Sequence, residues 1–567
     1  MNSAINIYQV FTRLFVNKNQ TNKEFGTIEE NGCTKFNDIT PQVLNEIKKF
    51  GSTHIWYTGI IRHASTTDYS KYGLSKDNPF VVKGRAGSPY AIKDYYDVNP
   101  DFAVSVRSRM HEFDDLVKRT HDAGLKFIID FVPNHVSREY KSETLPGGCV
   151  ALGSYDDTSI GFTPSNNFYY LPNEELHLPE FQFPYTEGNQ PYKEIPAKVT
   201  GNDLFSSHPS LNDWYETVKL NYGIDYQNLW QEHFEQIPDT WVRMLEILQY
   251  WANKGIDGFR CDMAEMVPVR FWGWVIPQIK HINPDIIFIA EVYNPEEYRN
   301  YIFRGKFDYL YDKVGLYDIL RLIMEGVGSA KYISDCWKIN DDITGKMLRF
   351  LENHDEQRIA SRFFANNPLA AKASMILSST MDKGPMMIYF GQEIGETGMD
   401  KEGFSGIDGR TTIFDYWGLK EYNKLINNGK FDGAKLDDSQ KELREFYRAL
   451  QLLRLKNDAI SNGLFYDIMW KNYNGNLDSD KIFAYLRFSD KQKLLIIINF
   501  DMHQTHTFRL NIGEHALDTM SFKKEGKMKL KEIFEADFSD EFPMTEVLEL
   551  GLPFSILPNS ALIFELS

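Results

Sequence analysis

The sequence predicts an α/β protein, a (β/α)8 TIM barrel interrupted by an irregular subdomain after its third strand and followed by a C-terminal antiparallel β-sandwich. Three observations carry this reading. Short runs of Ile, Phe, Val and Leu with little alternation recur along the chain between helix-like stretches, which is how parallel strands covered on both faces read. Between about 138 and 220 that rhythm breaks into Pro, Gly, Asn and aromatic residues, a span too long for an ordinary connection. From about 465 onward strand-like runs follow one another, separated by turn residues.

Taken in order, Ile7–Phe11 is the first strand, and a helix over Pro41–Phe50 follows with Pro in its first turn and Gly51 as its stop. Thr53–Tyr57 is the second strand. Val104–Ala123 reads as a helix ended by Gly124, and Leu125–Phe131 as the third strand. Past the irregular stretch come a helix over Pro238–Asn253, a strand at Ile256–Cys261, a helix near 271–281 and a strand at Ile286–Ala290. Phe307–Tyr309, Met347–Leu351 and Pro385–Phe390 complete eight strands, and the helix Ser439–Leu455 closes the set. The expected domains are a barrel over 1–137 and 221–460, an inserted subdomain over 138–220 and an all-β domain over 461–567. No repeat or further binding module is evident.

Composition narrows the function. A formal net charge of -17 with no long basic block disfavours nucleic acid and anionic membranes as partners. Cys33, Cys149, Cys261 and Cys336 are widely spaced with no CxxC, so free thiols are expected rather than a disulfide framework or a thiolate zinc site. The start MNSAINIYQVFTRLF lacks the basic n-region and unbroken apolar run of a signal peptide, and no spanning segment is evident. A cytoplasmic location is expected; a periplasmic or secreted one would require a leader already removed. Aromatic residues make up 14% of the chain, and their rings suit stacking on the C–H faces of sugars as well as plain packing.

The chemistry concentrates where strands end. Asp130, Asn134 and His135 follow the third strand, Arg260 and Asp262 the fourth, Glu291 the fifth, and His354 and Asp355 the seventh. The carboxyl-end rim of a barrel is where ligands bind. One residue separates Arg260 from Asp262, so on extended backbone both side chains point the same way, and the guanidinium can hold Asp262 ionised as a nucleophile. Glu291, crowded by other acids, is expected to have a raised pKa and to act as proton donor, with Asp355 orienting the sugar and His135 and His354 donating to its hydroxyls. Glycosidic cleavage needs such a division of labour between carboxyl groups. Single acids at strand ends often do no more than cap helices, but three that converge beside Arg and His argue for catalysis. No nucleophile elbow, phosphate loop or HExxH motif competes.

DFVPNH at 130–135, GFRCD at 258–262, IAEVY at 289–293 and LENHDEQR at 351–358 resemble the four main motifs of the alpha-amylase family, glycoside hydrolase family 13, in order. The resemblance implies Asp262 as nucleophile, Glu291 as general acid/base and Asp355 as transition-state stabiliser in a retaining double displacement on an alpha-glucan. Arg260, His135 and His354 would line the subsite of the attacked glucose, Tyr90 in SPYAIKDYY would lie beneath that ring, and Asp130 would support the network. VKLNYG at 218–223 resembles the fifth motif of neopullulanase and cyclomaltodextrinase relatives.

Two departures stand out. Ser88-Pro89-Tyr90 replaces the family's frequent His-Gly-Tyr, and Glu265-Met266 stand where many endo-acting amylases have Lys-His. Malto-oligosaccharides, starch and cyclodextrins are the implied substrates, and the same intermediate passed to a sugar acceptor would give a glucanotransferase or isomerising enzyme. A sugar-binding protein without catalysis is the remote alternative. Asn134 resembles a position that holds structural calcium in relatives, with Asp203 or its neighbours as partners. The chemistry itself requires no cofactor, and a monomer or homodimer is expected.

Overall fold

The computed structural model describes residues 4–398, 400–473, 475–535 and 538–567. Eight parallel strands form one sheet: β1 (Asn6–Phe11), β2 (His54–Thr58), β3 (Lys126–Phe131), β4 (Gly258–Cys261), β5 (Ile287–Ala290), β6 (Tyr309–Tyr311), β7 (Met347–Leu348) and β8 (Met386–Tyr389). Each pairs with its neighbour in chain order, β1 also pairs with β8, and a parallel bridge between Arg349 and Met386 joins β7 to β8 and closes the barrel.

Period-two alternation sorts the strand residues. Ile7, Trp56, Ile128, Ile289, Tyr311, Leu348 and Met387, one from each strand except β4, pack together with Phe350 as the barrel interior. Alternate residues such as Tyr8, Ile55, Ile129 and Phe288 join the larger core shared with the helices. The fourth strand brings Gly258 and Arg260 instead. A Cβ on Gly258 would stand 2.8 Å from the Ile287 side chain and 3.1 Å from that of Ile128, so any larger residue there would push these two aside. Arg260, two residues on, lies 5.4 Å from the Trp56 ring and 5.5 Å from that of Tyr311, and so forms the top of that interior.

The helices begin where their caps dictate. Thr40 accepts a hydrogen bond from Val43 N ahead of the helix Pro41–Lys49, and Asp437 forms a capping box with Gln440 ahead of Asp438–Lys456. From the latter, buried Arg454 donates to Asn6 Oδ1 and Gly384 O, fastening this helix to the starts of β1 and β8.

Most expected strands lie within two residues of the observed ones, though β7 ends at Leu348 rather than Leu351, and three further differences follow. β6 begins at Tyr309, two residues later than expected, because Asp308 binds Lys280 and Phe288 N and ends the turn before the strand. The helix expected from Val104 begins at Arg109, since Glu112 binds the amides of Val104 and Ser105 and holds that segment as a turn. The hairpin of Ile61–His63 with Ile92–Val98 was not foreseen, its mixed sequence having no clean alternation.

After β3, His135–Ser137 pair antiparallel with Thr217–Lys219, so the chain between them leaves and rejoins the rim at one place. That stretch has a small apolar cluster of its own around Tyr169, Leu171, Leu176, Ala197 and Val199. Beyond the last barrel helix a six-stranded antiparallel sheet and a two-stranded one follow. They dock on the helix Ala371–Thr380, where Arg487 donates to Met381 O and Asn559 to Leu369 O. The four cysteines are free. Among the described residues no helix is long and apolar enough to cross a membrane.

Candidate active site

The carboxyl ends of β3, β4 and β5 converge on one guanidinium. Arg260 has no solvent exposure. Its Nη1 donates to Asp262 Oδ1 at 2.8 Å and Asp130 Oδ1 at 3.3 Å, its Nε to the Tyr311 hydroxyl at 3.0 Å, and its Nη2 lies 2.7 Å from Glu291 Oε2. The rings of Trp56, Tyr90 and Tyr311 stand around it at 5.4–5.5 Å. Trp56 Nε1 and Gly59 N hold the second oxygen of Asp130. Asp130 is thus a support below the rim, where burial pushes its carboxyl up to about 6 against the opposing pull of Arg260.

Asp262 follows β4 directly. Met263, next in the chain, takes a left-handed conformation with φ 45°. That turn aims its amide at Glu291 Oε2, 2.7 Å away, while the Tyr293 hydroxyl donates to Glu291 Oε1 at 2.6 Å. The backbone strain beside Asp262 therefore serves to fix Glu291. Burial drives the Asp262 carboxyl well above its usual range; Arg260 opposes this, and nearby Glu291 and Asp130 reinforce it. One cation serves three acids in a buried site, which opposes full ionisation of the cluster. The upward drive on Asp262 was not foreseen in the sequence, since it comes from burial among carboxylates that three different strands bring together.

This has a pH consequence. A nucleophilic Asp262 must be ionised, and an upward-shifted carboxyl loses its proton later as pH rises, so the acidic limb of kcat/KM is expected above the ordinary aspartate range of about 3.9. A pH–rate profile whose acidic limb falls at or below that value would contradict the assignment.

His354 and Asp355 come from the loop after β7. Gln9 Nε2 lies 2.9 Å from His354 Nδ1. An amide nitrogen only donates, so Nδ1 accepts and the proton sits on Nε2, toward Asp355 Oδ2 at 3.1 Å and the Tyr90 hydroxyl. Burial, aided by Arg260, keeps His354 neutral. Asp355 is the most open of the three acids, its side chain 39% exposed.

Tyr90, His135, Asp262, Glu291 and Asp355 line one cavity of about 280 Å³, with Arg260, Asp130 and His354 directly behind its wall. His135 is pushed down to about 3, first by burial and then by the Lys219 and Lys83 cations, so it is a neutral hydrogen-bonding group. Asn134 does not line this cavity. Its Nδ2 donates to Gly201 O, and its Oδ1 accepts from the Lys219 ammonium.

Apart from Ser88, already noted beside Tyr90, sequence reasoning missed several lining residues. Lys83 and Ser88 come from the loop after β2, Trp214, Glu216 and Thr217 from the inserted region, and Met263, Tyr293, Ile413 and Phe414 from other loops of the rim. Lys83 Nζ pairs with Glu216 at 3.0 Å and so joins two walls of the cavity, while Trp214 packs its ring 5.1 Å from that of His135. Tyr293 and Ser88 lay inside stretches compared with the family; the others sit in loops without a period to mark them.

This constellation has relatives. Residues 9–441 match the family model described as alpha amylase, catalytic domain. The chain is 24% identical over 473 residues to an alpha-amylase of Dictyoglomus thermophilum, covering 78% of this chain and 80% of that protein. It is 23% identical over 519 residues to a cyclomaltodextrinase of a Bacillus species, covering 90% and 75% respectively. The fold resembles that of a maltogenic alpha-amylase of Thermotoga neapolitana with a TM-score of 0.61 at 19% identity, covering 99% of this chain and 98% of the other. With that family model matched over 9–441, more than half of its length, the chain belongs to the alpha-amylase family, glycoside hydrolase family 13.

Proposed function

We propose that the protein is a retaining enzyme that cleaves alpha-1,4-glucosidic bonds of malto-oligosaccharides or related alpha-glucans. The observation that carries this is the convergence of Asp262, Glu291 and Asp355 on one cavity over a shared Arg260. Relatives named as alpha-amylase and cyclomaltodextrinase support the substrate class.

In this reading Asp262, oriented by Arg260, attacks the anomeric carbon. Glu291 gives a proton to the departing glycosidic oxygen, then takes one from water as the covalent intermediate is hydrolysed. Asp355 and the Nε2–H of His354 hold ring hydroxyls, and positive charge developing at the sugar is balanced by the surrounding carboxylates. His135, neutral and packed on Trp214, donates to a hydroxyl of the same unit. The Tyr90 ring, flanked by His354 at 5.3 Å between centroids, offers an apolar face to that sugar. A Tyr90→Ala variant is expected to raise KM by about tenfold with a smaller loss in kcat, because stacking contributes to ground state and transition state alike.

Incubation with maltoheptaose, cyclodextrin, soluble starch and pullulan, followed by product sizing, tests the proposal. A steady rise in reducing ends on one of these substrates is expected. Products longer than the substrate would assign transfer of the same intermediate to a sugar acceptor, and no turnover of any of the four would overturn the alpha-glucan reading.

A further inference from the structure

The ammonium of Lys219 sits among the groups that the family resemblance offers to a calcium ion. Its Nζ donates to Asn134 Oδ1 and forms an ion pair with Asp203 Oδ1 at 2.7 Å, and it donates as well to Met266 O at 3.3 Å. The Tyr226 ring lies 5.4 Å away. Lys219 is 1% exposed, and its backbone is the register partner of His135, so its origin on the rim is fixed. Asn134 is turned to suit it, since Nδ2 is spent on Gly201 O and only Oδ1 faces the ammonium.

A divalent cation does not fit this arrangement. Calcium takes six to eight oxygen ligands at about 2.3–2.6 Å, whereas the three oxygens here are spaced for N–H donors around a nitrogen. The single negative charge of Asp203 is already matched by the buried ammonium, so an added dication would meet the repulsion of that ammonium. Among the described residues no group of three or more His, Cys, Asp or Glu side chains could hold a metal ion.

We infer that Lys219 is a built-in cation that takes the place of calcium, tying the inserted region through Asp203 to the loop after β3 through Asn134 and to the loop after β4 through Met266 O. The groups so joined flank both His135 and the Asp262 turn. Calcium therefore adds nothing to this protein, and the order of its rim depends on one side chain.

The test is metal analysis of the purified chain together with its thermal midpoint in a chelator and in added calcium chloride. No stoichiometric calcium and an unchanged midpoint in both conditions are expected. One calcium per chain, or a chelator-induced fall in midpoint that calcium reverses, would overturn the inference. Lys219→Met, which keeps the apolar stem and loses the charge, is expected to lower the midpoint by several degrees and to raise protease cleavage within 138–220. A Lys219→Met protein as stable and as protease-resistant as the parent would overturn it equally. Should that variant fail to fold, the measurements on the unmodified chain still decide.

Discussion

Asp262→Asn is expected to lower kcat/KM on maltoheptaose by about four orders of magnitude, equivalent to about 5 kcal/mol of lost transition-state stabilisation, while leaving substrate affinity nearly unchanged. The amide keeps the size of the side chain and can still meet Arg260, so the barrel top stays packed. What disappears is the anion that would bond to the anomeric carbon. Steady-state kinetics beside a thermal melt distinguish this from unfolding: a normal melt with lost turnover is the expected pair. Retention of more than about a tenth of the parent rate would mean the nucleophile lies elsewhere.

The second large effect is at Glu291. Glu291→Gln removes the proton donor but keeps its size, with the amide oxygen able to accept from Met263 N and the NH2 able to donate to the Tyr293 hydroxyl oxygen. Cleavage of oligosaccharides is expected to slow by about a thousandfold, within the range general acid catalysis supplies. The loss is expected to shrink for substrates whose leaving group departs without a proton, such as an alpha-glycosyl fluoride. That dependence separates an acid from a residue that only shapes the cavity, which would slow all substrates alike. Comparing the variant-to-parent rate ratio for the fluoride and for maltoheptaose is the check, and equal ratios would remove Glu291 from the acid role.

The two residues differ in how they are held, and this difference was only partly legible in the sequence. The spacing Arg260-Cys261-Asp262 places both side chains on one face of β4, and the pair at 2.8 Å follows from that alone. The sharing of Arg260 among Asp130, Asp262 and Glu291 depends on three strands meeting in register, with Arg260 opposite Asp130 on one side and Ile289 on the other. No single motif displays that, so the upward shift of Asp262 could not be read from the sequence.

The barrel strands were legible because burial on both faces leaves continuous apolar runs, as in Ile287–Ala290. Elements with one polar face or mixed composition were not: Ile61–His63 and Ile92–Val98 pair through bulges, and Lys527–Glu532 and Ser539–Pro543 are rich in charge. The hidden part of the site has the same origin. Lys83, Trp214 and Glu216 meet only because two long loops close over the rim, and Lys219 becomes a buried cation only when Asn134, Asp203 and Met266 O surround it.

The most direct measurement is the anomeric configuration of the first products, followed by proton NMR during cleavage of maltoheptaose by the parent protein with Asp262→Asn as control. Attack by Asp262 and then by water inverts the anomeric carbon twice, so alpha-configured reducing ends appear first and pass to the beta form only by slow mutarotation, and the control stays silent. Beta-configured ends appearing first, or alpha-configured ends produced at equal rate by the Asp262→Asn variant, would contradict a covalent mechanism at Asp262.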